Sequence, residues 1–182
     1  MKKIYAVWCK VNLIKKPDWL DEYRKKYKNL YPHHVTLKQP CFIDESELKD
    51  IRSIVSGVLD KINFQNHKIK LVFEKVIADK EDKSIMLMAE NNSILMDLQY
   101  KIRTALRDYN DYCKPETEEY ENNFKPHLTI TGDVDDIFDE AVKDVGKNTK
   151  CVGEIKEIIL SCVKEDTPME AKNPKNLTIY KL

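Results

Sequence analysis

Two of the four histidines in this 182-residue chain stand in one short pattern, His-x-Thr followed by an apolar residue. The copies are His34-Val35-Thr36-Leu37 and His127-Leu128-Thr129-Ile130, 93 residues apart. An imidazole titrates near neutral pH, so one member of a pair can carry a proton while the other is ready to accept one. A threonine hydroxyl donates to an anionic oxygen without ionising. Two of each around one phosphorus can take a proton from an attacking water and give one to a leaving oxygen. They can also hold the charge that builds on the non-bridging oxygens. With eight Thr in the chain, chance gives two such His-x-Thr pairs roughly one time in a hundred. The flanking apolar residues lower that to roughly a few in ten thousand, which sets a shared site above two ordinary edge strands.

The pattern also names the elements that must carry it. Apolar residues on both sides of each Thr are the alternation of a half-buried strand, with His and Thr on one face. Ahead of the first motif, Ile4 to Val11 alternates as a strand. Trp19, Leu20, Tyr23 and Tyr27 mark one helical face behind Pro17. After the motif strand His33 to Lys38, Pro40 is expected to break regularity. Asp44 and Glu47 then resemble a capping box before a helix with Leu48, Ile51, Ile54, Val55, Val58, Leu59 and Ile62 at helical spacing. Ile69 to Ala78 and Ser84 to Ala89 read as strands around a charged turn.

The second half repeats that order. A helix runs from Ile94 to Tyr109, a polar loop spans 111 to 126, and the second motif strand runs from His127 to Thr131. A helix over 137–145 follows, then strands from Val152 to Val163 and from Leu177 to Leu182, separated by a charged loop, Glu165 to Lys175. His34 lies 30 residues after Ile4, and His127 lies 42 after Ile85; the polar loop accounts for the surplus. The repeat is one of pattern, not of close sequence identity. It predicts a single domain, 1–182, with two facing lobes near 1–83 and 84–182 and room for strands to be exchanged between them.

Composition narrows the function. Apolar residues make up 42% and charged residues 34%, a foldable balance, and the net charge is zero. A protein gripping long duplex DNA is usually basic, so a small or short ligand is expected. The five Cys (Cys9, Cys41, Cys113, Cys151, Cys162) are dispersed, without a CxxC pair, and read as free thiols of a reducing compartment. The apolar run after Lys2 and Lys3 is interrupted by Lys10, Lys15 and Lys16, and no stretch approaches membrane-spanning length. A cytoplasmic location, no membrane contact and a monomer are expected. No metal-ligand spacing and no glycine-rich phosphate loop occur in the sequence, so no metal and no cofactor are expected, nor ATP-driven ligation.

The paired motifs resemble the signature of the 2H phosphoesterase superfamily, which includes the 2'-5' RNA ligase-like proteins and RNA 2',3'-cyclic phosphodiesterases. The second motif is especially similar: Phe124-x-Pro126-His127-Leu128-Thr129 matches the family's approach to its second His. Tyr23-Arg24-Lys25-Lys26-Tyr27, followed by Pro32, His34, Thr36, Leu37 and Lys38, is similar to a bacterial branch. The resemblance implies an α+β bilobal cradle with a pseudo-twofold repeat. Each lobe would be an antiparallel-rich sheet packed with helices, and a central groove would hold His34, Thr36, His127 and Thr129 as the catalytic set. It implies metal-independent hydrolysis of a 2',3'-cyclic phosphate or 2'-5' phosphodiester, with His127 as base and His34 as acid. Many relatives carry an Arg shortly after the second Thr, where this chain has Thr131-Gly132-Asp133. Lys38 is therefore expected to supply the cation near phosphate.

Other residues have competing uses. Lys25 and Lys26, with Arg24 and Lys28, form the densest basic run; it is either a solvated helix face or a patch that steers substrate. Tyr27, Tyr31, Tyr112 and Tyr120 flank the motif strands and offer rings for a base, or simple packing. Lys38, Lys25, Lys26 and Tyr27 are the expected substrate-binding residues. His33 should point away from His34, and His67 reads as exposed loop. The expected partner is a small nucleotide or short RNA with a cyclic or 2'-5' phosphate. Hydrolysis of cyclic oligonucleotide signals and non-catalytic binding of a nucleotide or RNA end remain as alternatives.

Overall fold

Along the first strand, Tyr5, Val7 and Cys9 are fully buried on one face while Ala6 and Trp8 occupy the other. In the computed structural model, which describes residues 2–62, 69–132 and 134–182, that alternation extends through β1 (Lys2–Lys15). The chain continues through α1 (Trp19–Lys26), β2 (His34–Asp44), α2 (Leu48–Asp60), β3 (Ile69–Asp79) and β4 (Ser84–Ala89). It then forms α3 (Ser93–Ala105), α4 (Thr117–Asn122), β5 (His127–Thr129), α5 (Phe138–Lys143), β6 (Cys151–Val163), α6 (Pro168–Lys172) and β7 (Leu177–Lys181). His67 lies outside the described residues.

All pairings are antiparallel, and the strand order is β2-β1-β6-β3-β4-β5, with β7 also on β6. β6 gives one edge to β1. It divides the other between β3, at Cys151 to Ile155, and β7, at Glu157 to Ser161. The strand after each motif thus pairs with the opening strand of the other half: β3 with β4, and β6 with β1. Helices are traded as well. α1 reaches the second half, where Tyr23 Oη donates to the Ala141 carbonyl at 2.8 Å, and α3 packs on β2. The two motif strands end up as the outermost strands of the order, yet the sheet curls enough to bring β2 and β5 together.

The core between sheet and helices includes Tyr5, Phe73, Leu87, Leu98 and Ile158, all fully buried. Each such side chain contributes about 1.5–3 kcal/mol by leaving water. α2 presents Ile51, Val55 and Leu59, four residues apart, to this core. The 3-10 turn Glu45–Glu47 that leads into it carries the capping box, with Asp44 N donating to Glu47 Oε2 at 2.8 Å. All five cysteines are free. None of the described helices is long and apolar enough to cross a membrane.

Three sequence expectations need correction. Pro40 does break regularity, at a register shift between the pairs Val7↔Lys38 and Tyr5↔Cys41 where no ladder donor is required of it, but the first motif strand does not stop at Lys38 and runs on to Asp44. The 111–126 segment is not merely polar loop but contains α4. The charged 165–175 segment contains α6, with Pro168 at its first position and Thr167 Oγ1 accepting from Glu170 N at 3.3 Å.

Candidate active site

β2 aligns Thr36 opposite Trp8 and His34 opposite Lys10, while Val35 faces the core at 1% exposure. β5 aligns His127 opposite Met88 and Thr129 opposite Met86, with Leu128 in the core. Each strand therefore shows its His and Thr on the face away from the core. His34, Thr36 and Thr129 line one cavity of about 640 Å³. His127 is not on its lining but stands two residues before Thr129 on the same strand face, and its charge is felt at His34.

The two imidazoles are held in the same way. His34 Nδ1 lies 2.7 Å from the Pro32 carbonyl, and His127 Nδ1 lies 2.8 Å from the Lys125 carbonyl. A carbonyl only accepts, so Nδ1 carries the hydrogen in both and Nε2 is left for chemistry. Neither Nε2 has a hydrogen-bond partner among the described residues. Burial pushes both histidines below the usual imidazole range, against the upward pull of these carbonyls; for His34 the His127 charge adds to the lowering. Trp8 and Tyr31 flank the His34 ring, with centroids at 5.4 Å and 6.2 Å.

The cations at the cavity are Lys28 and Lys114, and neither is ion-paired among the described residues. Lys28 closes α1. It adopts φ 53°, its N–H reaches the Lys25 carbonyl at 3.2 Å, and Asn29 N reaches the Arg24 carbonyl at 2.8 Å. That is a Schellman ending with Lys where glycine is usual. Asp166 enters the cavity from the loop after β6, and its carbonyl accepts from Tyr31 Oη at 3.0 Å. Sequence reasoning missed Lys114, Asp166, Asn29 and Trp8 as members of the site. Only Trp8 carried a signal, through the alternation of β1. Among the described residues, no three His, Cys, Asp or Glu side chains converge as metal ligands would.

The expected substrate-binding residues fare differently. Lys38 is fully buried, with Nζ at 3.0 and 3.1 Å from the Glu121 carboxylate and 4.3 Å from the Tyr112 ring centroid. The cause is a bulge: Trp8 pairs with Thr36 but Val7 with Lys38, so Leu37 and Lys38 both turn toward the core. Glu121, expected in a solvated acidic run, is buried as its partner. Lys26 faces α5, pairing with Glu140 at 2.9 Å and Asp144 at 2.5 Å. Tyr27 is fully buried and donates to Asp144 at 2.6 Å. Lys25 is exposed and off the cavity wall. Of the other tyrosines, Tyr31 lines the cavity, Tyr112 donates to Glu121, and Tyr120 donates to Asp82. His33 accepts from Arg24, its Nε2 at 2.8 Å from Nη1; burial first and that guanidinium next push its pKa down to about 4.

A curled antiparallel sheet with one His-x-Thr strand at each end of its order has the architecture of the two-histidine phosphoesterases. The chain belongs to the 2'-5' RNA ligase superfamily, whose model matches residues 8–162. Solved structures agree on the fold. E. coli LigT complexed with 3'-AMP superposes with a TM-score of 0.56 at 12% identity, covering 100% of this chain and 96% of that one. A crystal structure described as a phosphoesterase gives 0.57 at 12% identity, with 100% and 96% coverage. Usb1 of Kluyveromyces marxianus gives 0.50 at 10%, with 98% of each chain covered. No curated protein matches the chain.

Proposed function

We propose that the protein is a metal-independent phosphodiesterase that hydrolyses a 2',3'-cyclic phosphate, or a 2'-5' phosphodiester, of a small nucleotide or short RNA. The observation that carries the reading is the matched pair of imidazoles, each with Nδ1 tied to the carbonyl two residues back and a Thr two residues on. In this reading His127 Nε2 takes a proton from water as its oxygen attacks phosphorus. The bond from phosphorus to one ribose oxygen breaks, and protonated His34 gives its Nε2 proton to that oxygen. Thr36 and Thr129 donate to the non-bridging oxygens. A half-buried pair of neighbouring imidazoles favours one proton, not two, and the anionic substrate supplies the charge that keeps an imidazolium in place.

A cavity of about 640 Å³ suits a nucleotide-sized ligand, within the range of small-molecule sites. Lys28 and Lys114 would attract its phosphate, and Trp8 and Tyr31 offer rings beside it. E. coli LigT has been crystallised with 3'-AMP, with NADP+ and with ATP, and ligands of that chemistry are proposed for this chain as well. The test is a panel of 2',3'-cyclic nucleotides, 2'-5' oligonucleotides and cyclic dinucleotides assayed in EDTA. Turnover of the first or second class supports the reading. Turnover confined to cyclic dinucleotides, or binding without turnover, overturns it.

A further inference from the structure

We infer that Asn29 is a positioning residue that sets the spacing of the two His-x-Thr strands by clamping one to the loop that leads into the other; the inference rests on the phosphodiesterase reading of the site. The motif strands lie at opposite ends of the strand order, and no ladder bond joins them directly. β5 is only three residues long and pairs with β4 on one side. An edge so short needs something on its other side to define where its side chains stand.

Asn29 supplies that. Its Nδ2 donates to the Thr129 carbonyl at 2.8 Å and to the Thr131 carbonyl at 3.0 Å, one on each side of Ile130. Its Oδ1 accepts from Arg24 Nη2 at 2.9 Å. The same guanidinium donates to the Tyr31 carbonyl at 2.5 Å and touches His33 Nε2. Tyr31 and His33 bracket Pro32, whose carbonyl holds His34 Nδ1. The path therefore runs from the first imidazole's tether through Arg24 and Asn29 to the backbone of Thr129. A main-chain bond from Gly132 N to the Tyr27 carbonyl at 2.8 Å runs beside it. The approach at Gly132 is so close that a Cβ there would lie 2.6 Å from the Lys28 carbonyl oxygen.

Asn29 lines the cavity but is only 8% exposed, and both amide hydrogens and its oxygen are engaged. It has no donor left for a substrate, so its effect passes through the strand it holds. α3 makes the reciprocal contact: Gln99 Nε2 donates to the Leu37 carbonyl at 3.4 Å and the Glu121 carbonyl at 3.1 Å. Each motif strand is thus held by an amide from the other half of the chain.

The test compares Asn29→Ala, Asn29→Ser and Tyr23→Phe in the full chain. The readouts are steady-state turnover of a 2',3'-cyclic nucleotide and NMR titration of the imidazoles. Tyr23→Phe removes another bond from α1 to the second half without touching either motif strand. Asn29→Ala is expected to lower kcat on the order of tenfold to a hundredfold, since a displacement of about 1 Å is enough for that. KM should stay within about twofold, because ground-state contacts survive. Asn29→Ser, which keeps one donor, should fall between, and it carries the comparison if the alanine variant does not fold. Tyr23→Phe should keep the wild-type kcat. Loosening the strands lets water reach the groove and weakens first the burial, and then the His127 charge, that hold His34 low, so His34 should titrate higher in the Asn29 variants and unchanged in Tyr23→Phe. Unchanged kcat and His34 titration in the Asn29 variants, or equal kcat losses in Tyr23→Phe, overturn the inference. If the wild-type protein turns over no phosphodiester, the reading of the site fails, and the imidazole titrations alone decide the clamp.

Discussion

Replacing Lys38 by Met separates a structural cation from a substrate-binding one. The Glu121 carboxylate accepts two contacts from Lys38 Nζ, one from Gln39 N at 2.8 Å and one from Tyr112 Oη at 3.0 Å. Glu121 is 2% exposed and Lys38 is fully buried. Lys38→Met leaves the carboxylate buried with two donors and no counter-charge, a loss of about 3–5 kcal/mol. In a domain of this size each kcal/mol shifts Tm by about 2–4 °C, so Tm should fall by roughly 6–20 °C. Adding Glu121→Gln removes the unpaired charge while keeping an acceptor for Gln39 N and Tyr112. The double variant should therefore be more stable than Lys38→Met alone. Thermal unfolding gives the two shifts and their coupling. Well below its Tm, Lys38→Met should keep the wild-type KM. An unchanged Tm with KM raised tenfold would refute the burial argument and return Lys38 to the phosphate.

Other predictions follow from the groove and its histidines. With His34 and His127 both held below the usual imidazole value and one needed in each protonation state, kcat/KM should peak on the acid side of about pH 6.5; a profile still rising at pH 8 contradicts this. His33 is held at about 4 in the folded chain but titrates near 6.5 when unfolded, so only the unfolded state takes up this proton between those values. Stability should therefore drop as the pH is lowered from about 6.5 to about 4, by about 1–3 kcal/mol after discounting for partial solvation. Urea unfolding of His33→Gln should show that much less pH dependence, and an unchanged dependence refutes the assignment. Lys28→Gly relieves a positive φ and should raise stability by up to about 1 kcal/mol, while loss of the cation raises KM more than it lowers kcat. Lys25→Ala should alter neither, and steady-state kinetics with thermal melts reads both.

The motif strands were legible because alternation and repetition are local properties of a sequence. So was α2, from its capping pair and its apolar stripe. Lys38 was misplaced because a period of two was carried through a bulge that only the pairing with β1 reveals. Glu121 looked solvated because its partner lies 83 residues away. Lys26 and Tyr27 looked available because nothing local tells that α1 docks on α5. Lys28, Lys114 and Asp166 come from three separate loops and meet only through strand exchange.

The most direct test is turnover of a 2',3'-cyclic nucleotide in EDTA by the wild-type protein, His34→Ala, His127→Ala and the double variant. Hydrolysis by the wild type is expected, with a loss of about 10²–10⁴-fold in either single variant and folding intact. The double variant should be scarcely worse than either single one, because the pair acts as a unit. Full activity in His127→Ala or His34→Ala would contradict the account.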